Sequence, residues 1–496
     1  MGEVSSTQRK RKTAVILIHG MGEQVPMDTL RGFVESVWVA DPELISPERL
    51  SSADGAERTF NPVWGKPDPN YDYNSFELRR ITTERGADGR ACDFYEFYWA
   101  DLLSWTDWHH IRTWVAGLLL RRPSRVPSTL MPAWIFLWLL SLGALALIAY
   151  GFIPKESAPV CAGRALCWTD VKEIVFGLGG IVLAIFINFV FMRYVADVSR
   201  YLEPRPPNIS TRHDIRERGI TLLDTLIASQ REDGAGKYDR IVVVGHSLGA
   251  VIGYDVLKYS FARWHDQFAR LADGQQPCRV ALEEMLRRAE ESGEPLDLAA
   301  FQAAQDQARE EFVAAGGNWI VSDFITLGSP LGLAEVIMAH DQADMRRQQD
   351  ERVLPTCPPV LEKDLRTKLK HFTYWSAKRR SDDDGEEARF TRIPHHAAHF
   401  AFTKWTNLYS PSSAVFWGDV LSAPAGGAFG QAGAAGPVGG IRDIAVLTPG
   451  TTRHRFISHT HYWNLEGHPG NDPPFHVRAL RTALNLSGTK SWGDVR

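Results

Sequence analysis

Apolar positions follow two different patterns along this chain. In the first, short apolar runs alternate with helix-length stretches of mixed polarity. Ala14 to Ile18 in "KTAVILIHGMGEQ", Asp93 to Trp99 in "CDFYEFYWADLL", Ile241 to Val244 in "YDRIVVVGHS", the run of "NWIVSDFITLGSPLG" that ends at Gly328, and "KWTNLY" each read as a strand. The run before Gly245 is apolar on both faces, as central parallel strands are. A helix is expected from about His213, and a charged helical insertion over about 263–315. Strands separated by helical stretches predict an α/β fold with a mostly parallel sheet covered on both sides.

The second pattern is uncharged and long. "MPAWIFLWLLSLGALALIAYGFIP" (131–154) and "IVFGLGGIVLAIFINFVFM" (174–192) contain no charged residue. A bilayer-spanning helix needs ~20 apolar residues, so the pair predicts a transmembrane hairpin inserted into the fold. Arg121, Arg122 and Arg125 precede it and Arg193, Arg200 and Arg205 follow it. This excess of basic residues outside the hairpin sets both outer ends in the cytoplasm. "LLSWTDWHHIRTWVAGLLLRRP", with Trp105, Trp108 and Trp114, reads as an interfacial helix leading into the first span. The expected organisation is a core in two parts, 1–104 and 201–496, around a membrane-associated insert at 105–200.

Composition narrows the function. The 496 residues are 44% hydrophobic and 23% charged with a net charge of −4, which fits neither disorder nor a nucleic-acid-binding surface. The basic run Arg9 to Lys12 reads as a solvated lead-in to the first strand, with a membrane-surface contact as the alternative. Five cysteines make no disulfide framework and no zinc spacing; Cys161 and Cys167 lie between the two spans. "APAGGAFGQAGAAGPVGG" (423–440) reads as a mobile loop.

Candidate chemistry begins at the end of the central strand. Gly245-His246-Ser247-Leu248-Gly249 fits G-x-S-x-G, with a strand before it and a helical pattern after it. Glycines on both sides permit a tight turn that lifts the serine hydroxyl clear of the sheet, and the helix start supplies free N–H groups. A serine needs a base to act as a nucleophile at neutral pH. His246 is poorly placed to turn its ring on the adjacent Ser247. His395, His396 and His399 cluster in "IPHHAAHF", and His459 and His461 lie in "FISHTHYWN".

These segments, "VILIHGMGEQ", "VVVGHSLGA", "FITLGSPLG" and "FISHTHYWN", resemble the α/β-hydrolase superfamily, in particular its lipase- and esterase-like members. The hairpin is not a usual part of that fold. The resemblance implies an order of serine, acid, histidine, and points to Ser247, Asp419 and His459, with His461 as second choice for the base and Asp443 for the acid. His459 sits in an arrangement similar to the H-[ST]-x-Y-W of some members. Relatives often carry the aspartate nearer the strand end, where this chain has Ser412 and Ser413. The backbone N–H groups of Met21 and Leu248 are the implied oxyanion donors. "TLGSPLG" is expected to shape the pocket floor, and Glu96 to be a buried cation partner or a surface residue.

The function expected is a membrane-anchored serine hydrolase acting on a carboxylic ester, lipid-like esters included, without metal or organic cofactor. An acyltransferase or thioesterase with the same residues, or a non-catalytic membrane-anchored scaffold, are the alternatives.

Overall fold

A computed structural model describes residues 11–21, 25–44, 60–67, 78–85, 90–103, 120, 122–123, 126, 131–152, 175–183, 201–202, 206–231, 234–266, 275–376, 391–412, 417–433, 436–448, 458–466 and 472–494. The chain divides into two compact units, one of Met1–Leu102, Ser210–Ser412 and Phe416–Arg496, the other of Leu103–Ile209 and Ser413–Val415.

The larger unit is built on an eight-stranded sheet. Its strands are β1 (Arg11–Ile18), β2 (Val63–Lys66), β3 (Arg80–Thr83), β4 (Arg90–Phe97), β5 (Arg240–His246), β6 (Val321–Leu327), β7 (Lys404–Tyr409) and β8 (Ile441–Ala445). Their order across the sheet is β8-β7-β6-β5-β1-β4-β3-β2. All neighbours from β8 to β4 run parallel, and β3 and β2 add an antiparallel edge. The expected α/β class with a mostly parallel sheet is therefore present. The two antiparallel strands were not foreseen, because four-residue segments carry too little periodicity to read.

Side chains alternate between the faces of a strand, and helices cover both. Val15, Leu17, Val242 and Val244 enter one core with Leu30 and Phe33 of α1 (Asp28–Val34) and with Leu480 of the C-terminal helix Phe475–Leu484. On the other face runs the helix that follows β5, Leu248–Trp264, and the helix Pro206–Ala228 packs against it at Gly219. Glycines set these contacts. A Cβ on Gly253 would fall 3.0 Å from Phe324 and 3.2 Å from Ile18, and one on Gly219 would fall 2.6 Å from Val256. The charged insertion forms two helices, Pro277–Ser292 and Leu298–Ala314.

Three local expectations change. Arg11 and Lys12 belong to β1 itself, and Lys12 is ion-paired at 2.7 Å with the buried Asp93. The stretch expected to be a mobile loop instead forms a short helix, Gly426–Phe429, and a small two-stranded sheet, Gln431–Gly433 with Gly436–Val438. Asp443 accepts from the N–H groups of Ala425 and Gly426, both at 2.8 Å, and so fixes that helix start. Glu96 is buried, not at the surface, and accepts from the N–H of Met27 at 2.6 Å; burial raises its pKa to about 7.

In the smaller unit a 22-residue uncharged helix, Met131–Phe152, lies beside a helical stretch over 175–183. Their backbones come close: a Cβ on Gly180 would fall 2.9 Å from Leu147 Cβ and from Ile148 N. Tyr150 and Phe176 meet edge-on at 5.7 Å. Leu139, Leu142 and Leu145 on one helix and Val175, Leu178 and Val182 on the other are exposed. Among the described residues no helix is long and apolar enough to cross a membrane. Most of the second expected span, the connecting loop with Cys161 and Cys167, and Trp105, Trp108 and Trp114 lie outside the described residues.

Candidate active site

The site lies at the edge of the sheet where the parallel strands end. Ile18 of β1 pairs with Gly245 of β5, and His246 pairs with Leu327 of β6. The loops after β1, β5, β6 and β7 therefore converge. The chain crosses from β4 over β1 to β5, so the order of strands reverses here, and such a switch point opens a crevice in parallel sheets.

Ser247 is the residue between β5 and the following helix. It has φ 54° and ψ −126°, a conformation that costs a non-glycine residue about 1–3 kcal/mol. The surroundings over-determine it. Its N–H donates to the carbonyl of Leu327 at 2.9 Å. The flanking glycines are needed for close approach: a Cβ on Gly245 would fall 2.5 Å from Ala250 Cα, and one on Gly249 would fall 2.3 Å from the carbonyl oxygen of Ile18. The turn is thus pressed into both its own helix and the neighbouring strand.

His459 and Asp419 reach Ser247 from far along the chain. His459 Nε2 is 2.8 Å from Ser247 Oγ, and His459 Nδ1 is 2.9 Å from Asp419 Oδ2. A carboxylate only accepts, so Nδ1 carries the proton and the serine hydroxyl donates to Nε2. Ser247 and Asp419 are buried, at 1% and 2% exposure. Burial pulls the imidazole pKa down, but the charge and hydrogen bond of Asp419 outweigh it and hold His459 above its ordinary value. Burial pushes Asp419 up, but His459, the Tyr462 hydroxyl and the Leu421 N–H outweigh it and hold the acid below its ordinary value. The pair is therefore set to form and stabilise an imidazolium when a proton leaves Ser247.

Asp419 reaches the end of β7 by doubling back. Gly418 has φ 92°, and a Cβ there would fall 2.2 Å from the carbonyl oxygen of Pro411. The excursion through Ser412 thus returns to where it left the strand, and the Ser422 hydroxyl accepts from the Ser410 N–H at 3.1 Å. This explains how an acid placed late in sequence occupies the strand end; Ser413 lies outside the described residues. Gly328, from "TLGSPLG", lies behind the acid: its φ is 57°, and a Cβ would fall 2.6 Å from Tyr462 and 2.9 Å from Asp419 Oδ2.

The turn after β1 comes up against the serine. A Cβ on Gly20 would fall 2.9 Å from His246 Nδ1 and 3.0 Å from Ser247 Cβ. His19 is fully buried, stacked on Trp99 at 5.0 Å. The Trp99 N–H donates to its Nε2 at 3.2 Å, so Nδ1 carries the proton and donates to the Gly20 carbonyl at 2.8 Å. A trans peptide places N–H opposite C=O, so the Met21 N–H points away from the His19 ring. Leu248 supplies the first N–H of the helix behind Ser247. Gly22 lies outside the described residues.

The other candidates are engaged elsewhere. Asp443 accepts from Asn407 Nδ2 at 2.7 Å as well as from the helix start described above. His461 has Asn464 at 3.2 Å from its Nδ1. His395 contacts the carbonyl of Val360 at 3.1 Å, and His399 is buried beside Phe400; both precede β7, at the opposite edge of the sheet. That edge also has a cleft of about 1150 Å³ lined by Lys12, Tyr238, Arg240 and Arg309, whose cations are paired with Asp93, Asp323 and Asp306. Two contributors escaped sequence reasoning. Tyr462 donates to Asp419 Oδ2 at 2.8 Å, and His246 contacts the loop of His459. The tyrosine of "H-[ST]-x-Y-W" was a legible signal for the first.

No family model matches the chain, and no curated protein or solved structure matches it.

Proposed function

We propose that this chain is a serine hydrolase of the α/β-hydrolase type that cleaves carboxylic esters through an acyl-enzyme. The observation that carries the reading is the continuous hydrogen-bonded line from Ser247 Oγ through His459 to Asp419, starting at a serine held at positive φ. A purely structural serine has no need of a strained backbone, a half-buried imidazole and a buried carboxylate in series.

In this reading Ser247 Oγ attacks the ester carbonyl while His459 Nε2 takes its proton. Asp419 fixes the tautomer and stabilises the imidazolium. The negative charge that develops on the carbonyl oxygen is met by the N–H groups of Leu248 and Met21. His459 then returns the proton to the leaving alcohol, and water repeats the sequence on the acyl-enzyme. The chemistry calls for no metal and no organic cofactor.

The paired apolar helices are read as an anchor in a bilayer, with the catalytic unit on the cytoplasmic side. What supports this is a close helix contact at Gly180 with leucines and valines turned outward, the reverse of a soluble helix pair. The substrate class read here is a carboxylic ester, lipid-like esters included; an anchor places an enzyme and does not define its pocket.

The test is covalent labelling by a fluorophosphonate and turnover of short- and long-chain p-nitrophenyl esters. Labelling and turnover that both vanish in Ser247→Ala are expected. Undiminished turnover in that variant refutes the assignment, and an unlabelled wild-type protein favours a binding scaffold. Extraction of membranes with alkaline carbonate tests the anchor: the protein should stay in the pellet.

A further inference from the structure

His459 must hold its Nε2 at hydrogen-bond distance, 2.8 Å, from Ser247 Oγ, although 212 residues separate them. Several contacts fix its loop to the acid side of the site. Ser458 Oγ lies 2.9 Å from Ser410 Oγ, the Ser458 N–H donates to the Gly418 carbonyl at 3.3 Å, and Tyr462 binds Asp419. Ser36 of the first helical segment donates to the Trp463 carbonyl. A different contact joins the loop to the nucleophile's own turn. His246 Nε2 lies 2.7 Å from the backbone carbonyl oxygen of His459. A carbonyl only accepts, so Nε2 carries the proton. The ring is wedged in place: its Nδ1 side faces the Gly20 backbone, and Trp463 meets it edge-on at 5.0 Å.

We infer that His246 is a positioning residue whose Nε2–H grips the His459 carbonyl and so sets the distance between the imidazole and the Ser247 hydroxyl. The inference rests on the reading of Ser247 and His459 as nucleophile and base. It gives the variable position of G-x-S-x-G a mechanical role, because the turn that presents the serine also carries the donor that holds its base. Burial, and the proximity of His459, lower the pKa of His246 to about 3, so the donor is present and the ring uncharged throughout the neutral range. An uncharged ring there does not oppose the imidazolium that forms 5.1 Å away.

The experiment compares His246→Gln with His246→Met in the full-length protein. Both lose the ring and have nearly the same shape, but only the glutamine can donate. Melting temperature reports any common packing loss. The methionine variant should lose on the order of 10- to 100-fold in kcat for a p-nitrophenyl ester and in the rate of fluorophosphonate labelling, with KM changed less than about threefold, as expected when a reacting group is displaced. The glutamine variant should stay within about threefold of wild type. Equal rates for the two variants overturn the inference, whether both are active or both impaired. If the wild-type protein is not labelled at Ser247 at all, the underlying reading fails and the inference with it. Wild-type labelling with equal variants removes the inference alone.

Discussion

Asp419 is buried and Asp443 half-buried, and both were candidates for the same role, yet their surroundings put them to opposite uses. Asp419 faces an imidazole, a phenol and one backbone N–H, and is held below its ordinary pKa although burial opposes this. Asp443 faces Asn407 and two backbone N–H groups, all uncharged, and burial wins, raising its pKa. Burial alone therefore does not make a carboxylate catalytic. What matters is whether a group able to become cationic stands against it. Asp419 can stabilise a charge that appears during a reaction, whereas Asp443 stabilises a helix start that never changes.

The largest effect expected falls on the line that Asp419 serves. His459→Ala should reduce kcat by on the order of 10⁴- to 10⁶-fold, and adding Asp419→Asn to it should cost little more, because groups acting as a unit are not additive. Adding Asp443→Asn should leave the activity of His459→Ala equally unchanged but lower the melting temperature further. Steady-state kinetics and thermal unfolding of the three variants check this.

Alone, Asp419→Asn should lower kcat by on the order of 10⁴-fold, the effect of a wrongly held tautomer. Asp443→Asn should stay within about threefold in kcat and lose about 1–3 kcal/mol of stability by urea unfolding, since its amide turns a donor toward N–H groups. A reversed pattern would transfer the acid to Asp443. The same contrast can be made through glycines. Gly328→Ala would drive a methyl to 2.9 Å from Asp419 Oδ2 at a positive φ, and should cost about 10- to 100-fold in kcat. Gly426→Ala would bring one to 2.9 Å from Asp443 Oδ2 and should touch stability alone.

Smaller in size but sharper in origin is the pH profile. His459 works as a base only when neutral, and Asp419 raises its pKa. Activity should thus be absent at low pH and rise with pH, kcat/KM reaching half its plateau above pH ~6.5, the ordinary histidine value. In Asp419→Asn the raising charge is gone, so the residual activity should rise at lower pH; in Asp443→Asn the midpoint should not move. The smallest effect is expected for His461→Ala, within about threefold in kcat/KM.

Much of the site was legible because its requirements are local. A serine forced to positive φ needs glycines immediately around it, so strand, turn and helix announce themselves within a few residues. The acid and the base are fixed by packing instead. The resemblance pointed to Asp419, but what carries it to the strand end is Gly418 folding the loop back on Pro411, and Tyr462 and His246 show their partners only once the loops meet. The glycine- and alanine-rich stretch misled for the same reason: its composition reads as freedom, but Asp443, from the adjacent strand, pins it.

The sequence by itself determined the alternation of strands and helices, the serine turn, and two uncharged helical segments, because periodicity and glycine placement act over a turn or two of chain. Only the tertiary structure decided which aspartate faces which histidine. That choice depends on where parallel strands end side by side and on a few contacts between residues hundreds of positions apart, and no short-range pattern encodes those distances.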